Sequence, residues 1–302
     1  MLRPLRLNHC EQMPEPVEKG VLYVVATPIG NLEDITLRAL RVLREADLIA
    51  CEDTRHTRKL LDHYSIARPV LSYHEHNEQE RARELVEKLE QGLIVAQVSD
   101  AGMPSIADPG YRVIKLAIEK GIAVCPVPGP SAVITALVGS GLPTDSFEFL
   151  GFLPARSGQR RTVIERLRST ATTVVLYEAP HRIRETLTEI VDVLGPKRPV
   201  VIARELTKIH EEYLRGTAAE VRERIGDREL KGEITLLIGR SEGAASSSAP
   251  AQTSDVNQRL QQIMREQGLD EKSALKALAR ELGQSRSEIY RELLRIRGRR
   301  KS

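Results

Sequence analysis

The chain has no tryptophan, three phenylalanines and seven tyrosines among 302 residues, and only three cysteines. Cys10, Cys51 and Cys125 are too few and too scattered for a disulfide framework or a zinc site, which needs closely spaced ligand pairs. Cys51 and Cys125 close the apolar runs Leu48-Ile49-Ala50-Cys51 and Ile122-Ala123-Val124-Cys125, where a thiol serves as a small buried hydrophobe. No metal is expected, and a reducing cytoplasm fits. No window approaches the roughly 18 consecutive apolar residues of a membrane-spanning helix, so a soluble chain with no membrane partner is expected. Behind Arg3 and Arg6 no apolar core follows, and Glu11, Pro14, Glu15, Pro16 and Glu18 argue against a signal peptide. Residues 1–19 are expected to be a disordered leader.

What is present is an α/β pattern long enough for two cores, with 41% hydrophobic residues. From Gly20 onward short apolar runs alternate with amphipathic helical periods, the pattern of βα units on a mainly parallel sheet. The spacing predicts strands over 21–26, 48–51, 69–73, 93–99 and 123–127, with helices over 37–45, 57–64, 78–91, 110–120 and 131–139. Pro143, Asp145 and Gly151 interrupt the pattern, which divides a first α/β domain at 20–144 from a second at 145–240. The second reads as mixed α/β, with helices over 157–169, 183–194 and 217–225 and strands over 172–177, 200–203, 213–216 and 233–238.

Residues 241–254, rich in Ala, Ser and Pro without periodicity, read as a flexible linker. Residues 255–302 carry three helical patterns, over 256–267, 271–282 and 287–297, separated by Gly268 and Gly283. Ser285 and Glu288 suit a capping box for the third. Net charge over the whole chain is +3, but this tail alone holds twelve Lys or Arg against seven Asp or Glu. Three short helices with Arg286, Arg291, Arg295, Arg297, Arg299, Arg300 and Lys301 toward the end resemble a helix-turn-helix module that follows a phosphate backbone. A solvated or dimerising appendage is the alternative.

In a parallel sheet, ligands gather at the carboxyl ends of the strands. After the first strand stands Thr27-Pro28-Ile29-Gly30-Asn31, which lacks both the three glycines of a dinucleotide loop and the lysine of a phosphate-cradling loop. After the second stands Glu52-Asp53-Thr54-Arg55, which suits either a ribose or phosphate contact or a plain helix cap. Tyr73-His74-Glu75-His76-Asn77 follows the third; no partner is spaced to complete a metal site, so substrate contact is the better reading. After the fourth comes the long loop from Ser99-Asp100-Ala101-Gly102 to Asp108-Pro109-Gly110, whose small residues let a ligand approach the backbone. After the fifth, Pro128-Gly129-Pro130-Ser131-Ala132 turns into a helix, with an N-cap by Ser131 as the bland reading.

These segments, in this order, together with Tyr177-Glu178-Ala179-Pro180-His181-Arg182, Ala203-Arg204-Glu205-Leu206-Thr207-Lys208 and Lys231-Gly232-Glu233, resemble the ribosomal RNA small-subunit methyltransferase I family of the tetrapyrrole-methylase-like superfamily. The resemblance runs from about Gly20 to Arg240. It implies two α/β domains of the tetrapyrrole-methylase type with the S-adenosylmethionine cleft between them, a small helical C-terminal module and a homodimer. The implied reaction is methylation of a cytidine ribose 2′-hydroxyl in 16S rRNA, free or in the small ribosomal subunit. The cofactor cleft would be lined by Asp100, Ala101, Gly102, Ser131, Ala132, Tyr177, Glu178, Glu205, Leu206, Gly232 and Glu233. Glu52, Asp53, Arg55, His74 and Arg204 are candidates for base or oxyanion-stabilising cation, and the basic helix with Arg156, Arg160, Arg161, Arg166 and Arg168 would hold rRNA phosphates. Met103 and Ala107 depart from hydroxyl residues common in the family, and residues 1–19 have no counterpart in it. A methylase of a small macrocycle and a non-catalytic RNA-binding protein on the same scaffold are the competing readings.

Overall fold

The structure, a computed structural model, describes residues 17–241, 259–261, 263–265, 268–281 and 289–290. The leader before residue 17, the linker from residue 242, the capping box of the third tail helix and the cationic residues from Arg286 on lie outside the described residues.

Five short strands open the chain: β1 (Leu22–Val25), β2 (Leu48–Cys51), β3 (Val70–Ser72), β4 (Val95–Val98) and β5 (Val124–Val127). They are parallel and ordered β3-β2-β4-β1-β5. Helices α1 (Leu37–Glu45), α2 (Thr54–His63), α3 (Glu78–Glu90) and α4 (Tyr111–Glu119) make the crossovers, and α5 (Ala132–Ser140) follows the last strand. Alternation along β1 sends Val21, Tyr23 and Val25 into one core and Leu22 and Val24 into another. Both faces are therefore buried, which is why these strands read as unbroken apolar runs. The chain steps from β1 across β4 to β2, and from β4 across β1 to β5, so the direction of winding changes between β1 and β4. A ligand crevice is expected there, beyond the carboxyl ends.

The second sheet has β6 (Phe147–Phe152), β7 (Thr173–Glu178), β8 (Pro199–Arg204), β9 (Glu212–Thr217) and β10 (Ile234–Ile238) in the order β6-β7-β10-β8-β9. Only β6 and β7 pair in parallel; β10 and β9 pair antiparallel to their neighbours. Helices α6 (Ser157–Arg166), α7 (Ile183–Leu194) and α8 (Ala218–Ile225) belong to this half. Thr217 and Glu220 form a reciprocal capping box on α8.

Two sequence expectations are corrected here. Residues 147–152, read as part of a break, form a full edge strand; Pro143, Asp145 and Gly151 masked it, and Gly151 is an irregularity within the strand. The helix expected over 157–169 ends at Arg166, and Leu167–Ser169 tightens into a 3-10 turn.

The apolar α5 buries Val133, Ala136 and Leu137 against Val175, Val201 and Leu237 of the second sheet, joining the two α/β halves through one core. The described residues up to Glu165 together with Thr172–Gly239 make one compact unit. A second holds Arg166–Ala171 and the described residues from Arg240 on. In it, α9 (Glu271–Glu281) buries Ala274, Leu275 and Leu278 with Leu260, Ile263 and Ile289. Described residues from each of the tail's three helical patterns thus share one small core.

Candidate functional site

The loops at the carboxyl ends of the first sheet are tied to each other by main-chain bonds. Thr27 and Gly102 exchange N–H···O bonds of 3.0 Å, closing the loop after β1 onto the loop after β4. Gly102 has φ of +81° and no Cβ, the conformation this approach requires. At the far end of the loop after β4, Gly110 N donates to Glu78 Oε1 at 3.1 Å and Gln97 Nε2 donates to the Pro109 carbonyl at 3.1 Å. Between these anchors Ser105 and Ala107 sit at φ of 68° and 63°. Left-handed backbone at non-glycine residues is strained and persists where its surroundings impose it, commonly at ligand sites.

The second half supplies a matching rim. After β8, Glu205 and Thr207 are also left-handed, at φ of 52° and 65°. Glu205 Oε1 accepts from Glu233 N at 3.0 Å and from Lys208 Nζ at 2.9 Å, while Lys208 Nζ also donates to Glu233 Oε2 at 3.0 Å. The loops after β8 and before β10 are thereby pinned together. Asn31 N donates to Thr207 Oγ1 at 3.1 Å, carrying the connection to the first half.

Between these loops lies a cavity of about 350 Å³, within the size range of small-molecule sites. Ala101, Gly102, Ser131, Ala132, Tyr177, Glu178, Leu206, Gly232 and Glu233, all named from the sequence as cofactor contacts, line it. Asp100 and Glu205 stand outside the wall. Asp100 instead accepts from Asp53 N at 3.2 Å, linking the loops after β2 and β4, and Glu205 supports the rim as described. The Glu178 carboxylate is engaged inside the protein by Arg182, Ala179 N and Thr186. Ser131 caps α5, accepting from Ile134 N at 3.5 Å, and faces the cavity as well.

Sequence reasoning missed Ile29, Met103, Ile106, Ala107, Asp108, Phe152 and Ile234 as wall residues. Asp108 was legible only as the start of a helix. Burial pushes its carboxyl up to about 6, with the negative charges of Glu52 and Asp100 adding to the effect. Burial likewise raises Glu52, again with help from Asp100. Tyr177 is raised by burial and by the charges of Asp108 and Glu233.

Of the five catalytic candidates, Glu52 and His74 join Asp100 and Asp108 in one electrostatic cluster. His74 Nδ1 is buried without a hydrogen-bond partner among the described residues. Asp53 caps α2 through Arg55 N at 2.8 Å, and the Arg55 guanidinium helps hold its carboxyl at about 2. The Arg55 side chain itself is 85% exposed. Arg204, at the end of β8, donates to Glu212 Oε2 at 3.0–3.1 Å and to the Lys231 carbonyl at 3.1 Å. Among the described residues no group of three or more His, Cys, Asp or Glu is placed to hold a metal ion, and no helix is long and apolar enough to cross a membrane. Burial raises the Cys51 thiol, which suits a packing role.

One expected phosphate contact is corrected. Arg160 is buried, at 2% side-chain exposure, and its guanidinium is held by Glu189 Oε1 and Oε2 at 2.8 and 2.9 Å and by Glu185 at 3.2 Å. It ties α6 to α7 and does not face solvent.

The family model described as Tetrapyrrole (Corrin/Porphyrin) Methylases matches residues 21–222. The Ribosomal RNA small subunit methyltransferase I of Halalkalibacterium halodurans is 46% identical over 274 residues, covering 90% of this chain and 94% of the relative. Its namesake from Vibrio cholerae serotype O1 is 50% identical over 232 residues, covering 76% and 81%. Among solved structures, diphthine synthase superposes with a TM-score of 0.58 at 17% identity over 72% of this chain and 90% of that one, a likeness of fold alone. With the two sheets, the joint cavity and the relatives' near-complete coverage in agreement, the chain belongs to the ribosomal RNA small subunit methyltransferase I family of the tetrapyrrole methylases.

Proposed function

We propose that this methyltransferase moves a methyl group from S-adenosylmethionine to the 2′-oxygen of a cytidine ribose in 16S rRNA, as free RNA or in the small ribosomal subunit, in the cytoplasm. The observation that carries the reading is a cavity walled by both α/β halves, lined by the segments through which the chain resembles its family. The division into domains at 20–144 and 145–240, with a linker at 241–254 and an RNA-binding module at 255–302, belongs to the same reading.

The cavity suits this cofactor on its own evidence. Gly102 and Gly232, at φ of +81° and +86°, open main-chain surface to a ligand, and Gly232 also leaves room that a Cβ would take from Glu205. Ala101, Gly102, Ser131, Ala132, Tyr177, Leu206, Gly232 and Glu233 would hold the cofactor, with Asp100, Glu178 and Glu205 supporting them. Carboxylates at Glu233 and Asp108 complement a cationic sulfonium. When bound, S-adenosylmethionine supplies an electrophilic methyl on that sulfonium.

The rest of the chemistry falls to the protein. Transfer is an in-line displacement, so aligning acceptor and donor and excluding water lower the barrier, by an effect worth roughly 7 kcal/mol or more. As the new oxygen–carbon bond forms, the acceptor hydroxyl releases one proton. In this reading Glu52, the candidate whose carboxyl burial raises beside Asp100 and His74, takes it. Asp53 and Arg55 organise the start of α2, and Arg204 is committed to Glu212.

A homodimer is part of the proposal. Ile134 and Val138 on α5 leave apolar surface exposed that a second copy can cover.

The test is transfer of labelled methyl to purified small ribosomal subunits and to 16S rRNA, followed by nuclease digestion and mass spectrometry of the nucleosides. Label in 2′-O-methylcytidine is the expected result. Label in another nucleoside overturns the acceptor. Transfer to a tetrapyrrole instead would favour a small-molecule methylase, and absence of cofactor binding would leave a non-catalytic RNA-binding protein.

A further inference from the structure

Phe152 takes no part in the reading so far, yet the fold goes out of its way to present it. Side chains alternate along a strand, so Phe149 and Phe152, three residues apart on β6, belong on opposite faces of the sheet. They share one face. The pairing of β6 with β7 slips between Phe149 and Phe152, around Gly151 at φ of +66°, and Phe152 comes level with Tyr177. Both rings then pack on Tyr177, Phe149 at a centroid distance of 5.0 Å and Phe152 at 5.5 Å. Such a bulge sacrifices ladder bonds to re-aim a side chain, and bulges concentrate beside binding sites.

The re-aimed ring gains little burial. Phe152 lines the cavity and remains 58% exposed, and Ile106, also on its wall, is 48% exposed. The deeper wall is different in kind: Ile29 and Leu206 are 7% and 6% exposed. A small cofactor is drawn into the enclosed part of such a site, whereas a macromolecular acceptor reaches it across the rim. The chain beyond the rim carries positive charge. Arg156, four residues past Phe152 and just before α6, is exposed. An exposed apolar ring and an exposed arginine four residues on together complement a nucleotide, whose base stacks and whose phosphate pairs with a cation.

We propose that Phe152 is the platform on which the base of the acceptor nucleotide stacks, with Arg156 meeting a neighbouring phosphate, so that the ribose is presented to the cavity. This rests on the RNA-methyltransferase reading and adds to it a positioning residue for the acceptor. The base is held unpaired, because a base stacked within a helix cannot also lie on the ring.

Because the chain has no tryptophan, Phe152→Trp in the full-length protein creates a single fluorescent reporter at the platform. Its emission should be quenched by purified small subunits and by a short unpaired cytidine-containing oligoribonucleotide, and left unchanged by S-adenosylhomocysteine alone. Phe152→Ala should raise the KM for small subunits about tenfold and weaken oligoribonucleotide binding by a similar factor. Cofactor affinity by calorimetry should change less than twofold. Phe152→Trp should keep near-native KM while Phe152→Leu should not, which separates stacking from apolar packing. Quenching by S-adenosylhomocysteine alone, with loss of cofactor affinity in Phe152→Ala, would assign the ring to the adenine and overturn the proposal. So would an unchanged KM in Phe152→Ala, or full rescue by Phe152→Leu. If the unaltered chain methylates neither subunits nor 16S rRNA while its cofactor affinity is intact, the RNA-methyltransferase reading has failed, a result distinct from each of these.

Discussion

Asp108 shows at the level of one residue how a site is maintained against the interest of stability. Its carboxyl is raised to about 6 by burial and by the neighbouring charges of Glu52 and Asp100, whereas an unfolded aspartate titrates near about 3.9. A group whose folded pKa is raised as an acid makes ionisation unfavourable to the fold. The penalty vanishes only well below about pH 4, where the group is protonated in both states. It grows as pH rises between the two values and is full above about pH 6. Asp108→Asn should therefore raise the melting temperature relative to the unaltered chain at pH 8 and lose most of that advantage at pH 4.5. Thermal unfolding across this range checks it, and a difference that does not vary with pH would refute the assignment. Arg160 illustrates the opposite case. In the sequence it is one of several arginines in a basic segment, and only the folded chain places Glu185 and Glu189 of α7 around it.

Between elements, the site depends on two loops held to each other more than on any strand. The segment after β8 is left-handed at Glu205 and Thr207, and the segment before β10 turns through Gly232 at φ of +86°. Glu205 and Lys208 bolt the two together. A Cβ at position 232 would collide with the Glu205 side chain, which these bonds keep from moving aside. Gly232→Ala should cost about 1–3 kcal/mol in urea unfolding through strained backbone and weaken S-adenosylmethionine binding measured by calorimetry. A stability loss with unchanged cofactor affinity would show that this rim does not shape the cofactor site. The Lys-Gly-Glu triplet was visible in the sequence as a motif; that Gly232 lies against Glu205 where β8 ends beside the start of β10 was not, because 27 positions of chain separate them.

At the scale of the whole molecule, the described residues of the tail and Arg166–Ala171 form a compact unit of their own, with a core of Leu260, Ile263, Leu275, Leu278 and Ile289. The excess positive charge of the chain lies in residues 255–302. Removal of residues 241–302 should therefore weaken binding to 16S rRNA and flatten its dependence on salt, since fewer phosphates are neutralised, while S-adenosylmethionine affinity stays nearly unchanged. Filter binding over a salt series and calorimetry measure the two. Equal loss of both would refute the separation.

The sequence by itself determined most of the elements and their order, because burial on both faces of a parallel sheet and on one face of each helix leaves local periodicity. It also marked the chemistry-bearing loops, since Gly, Pro and Asp at strand ends are local requirements of turns and caps. The tertiary structure decided what was non-local. The edge strand at 147–152 was hidden by the same Gly151 that lets it bulge, and Phe152 was therefore invisible as a wall residue. Asp108 became a carboxyl poised near neutrality only when folding brought Glu52 and Asp100 beside it. Charge environment and aim of a side chain are set by neighbours distant in the chain, and no local pattern encodes them.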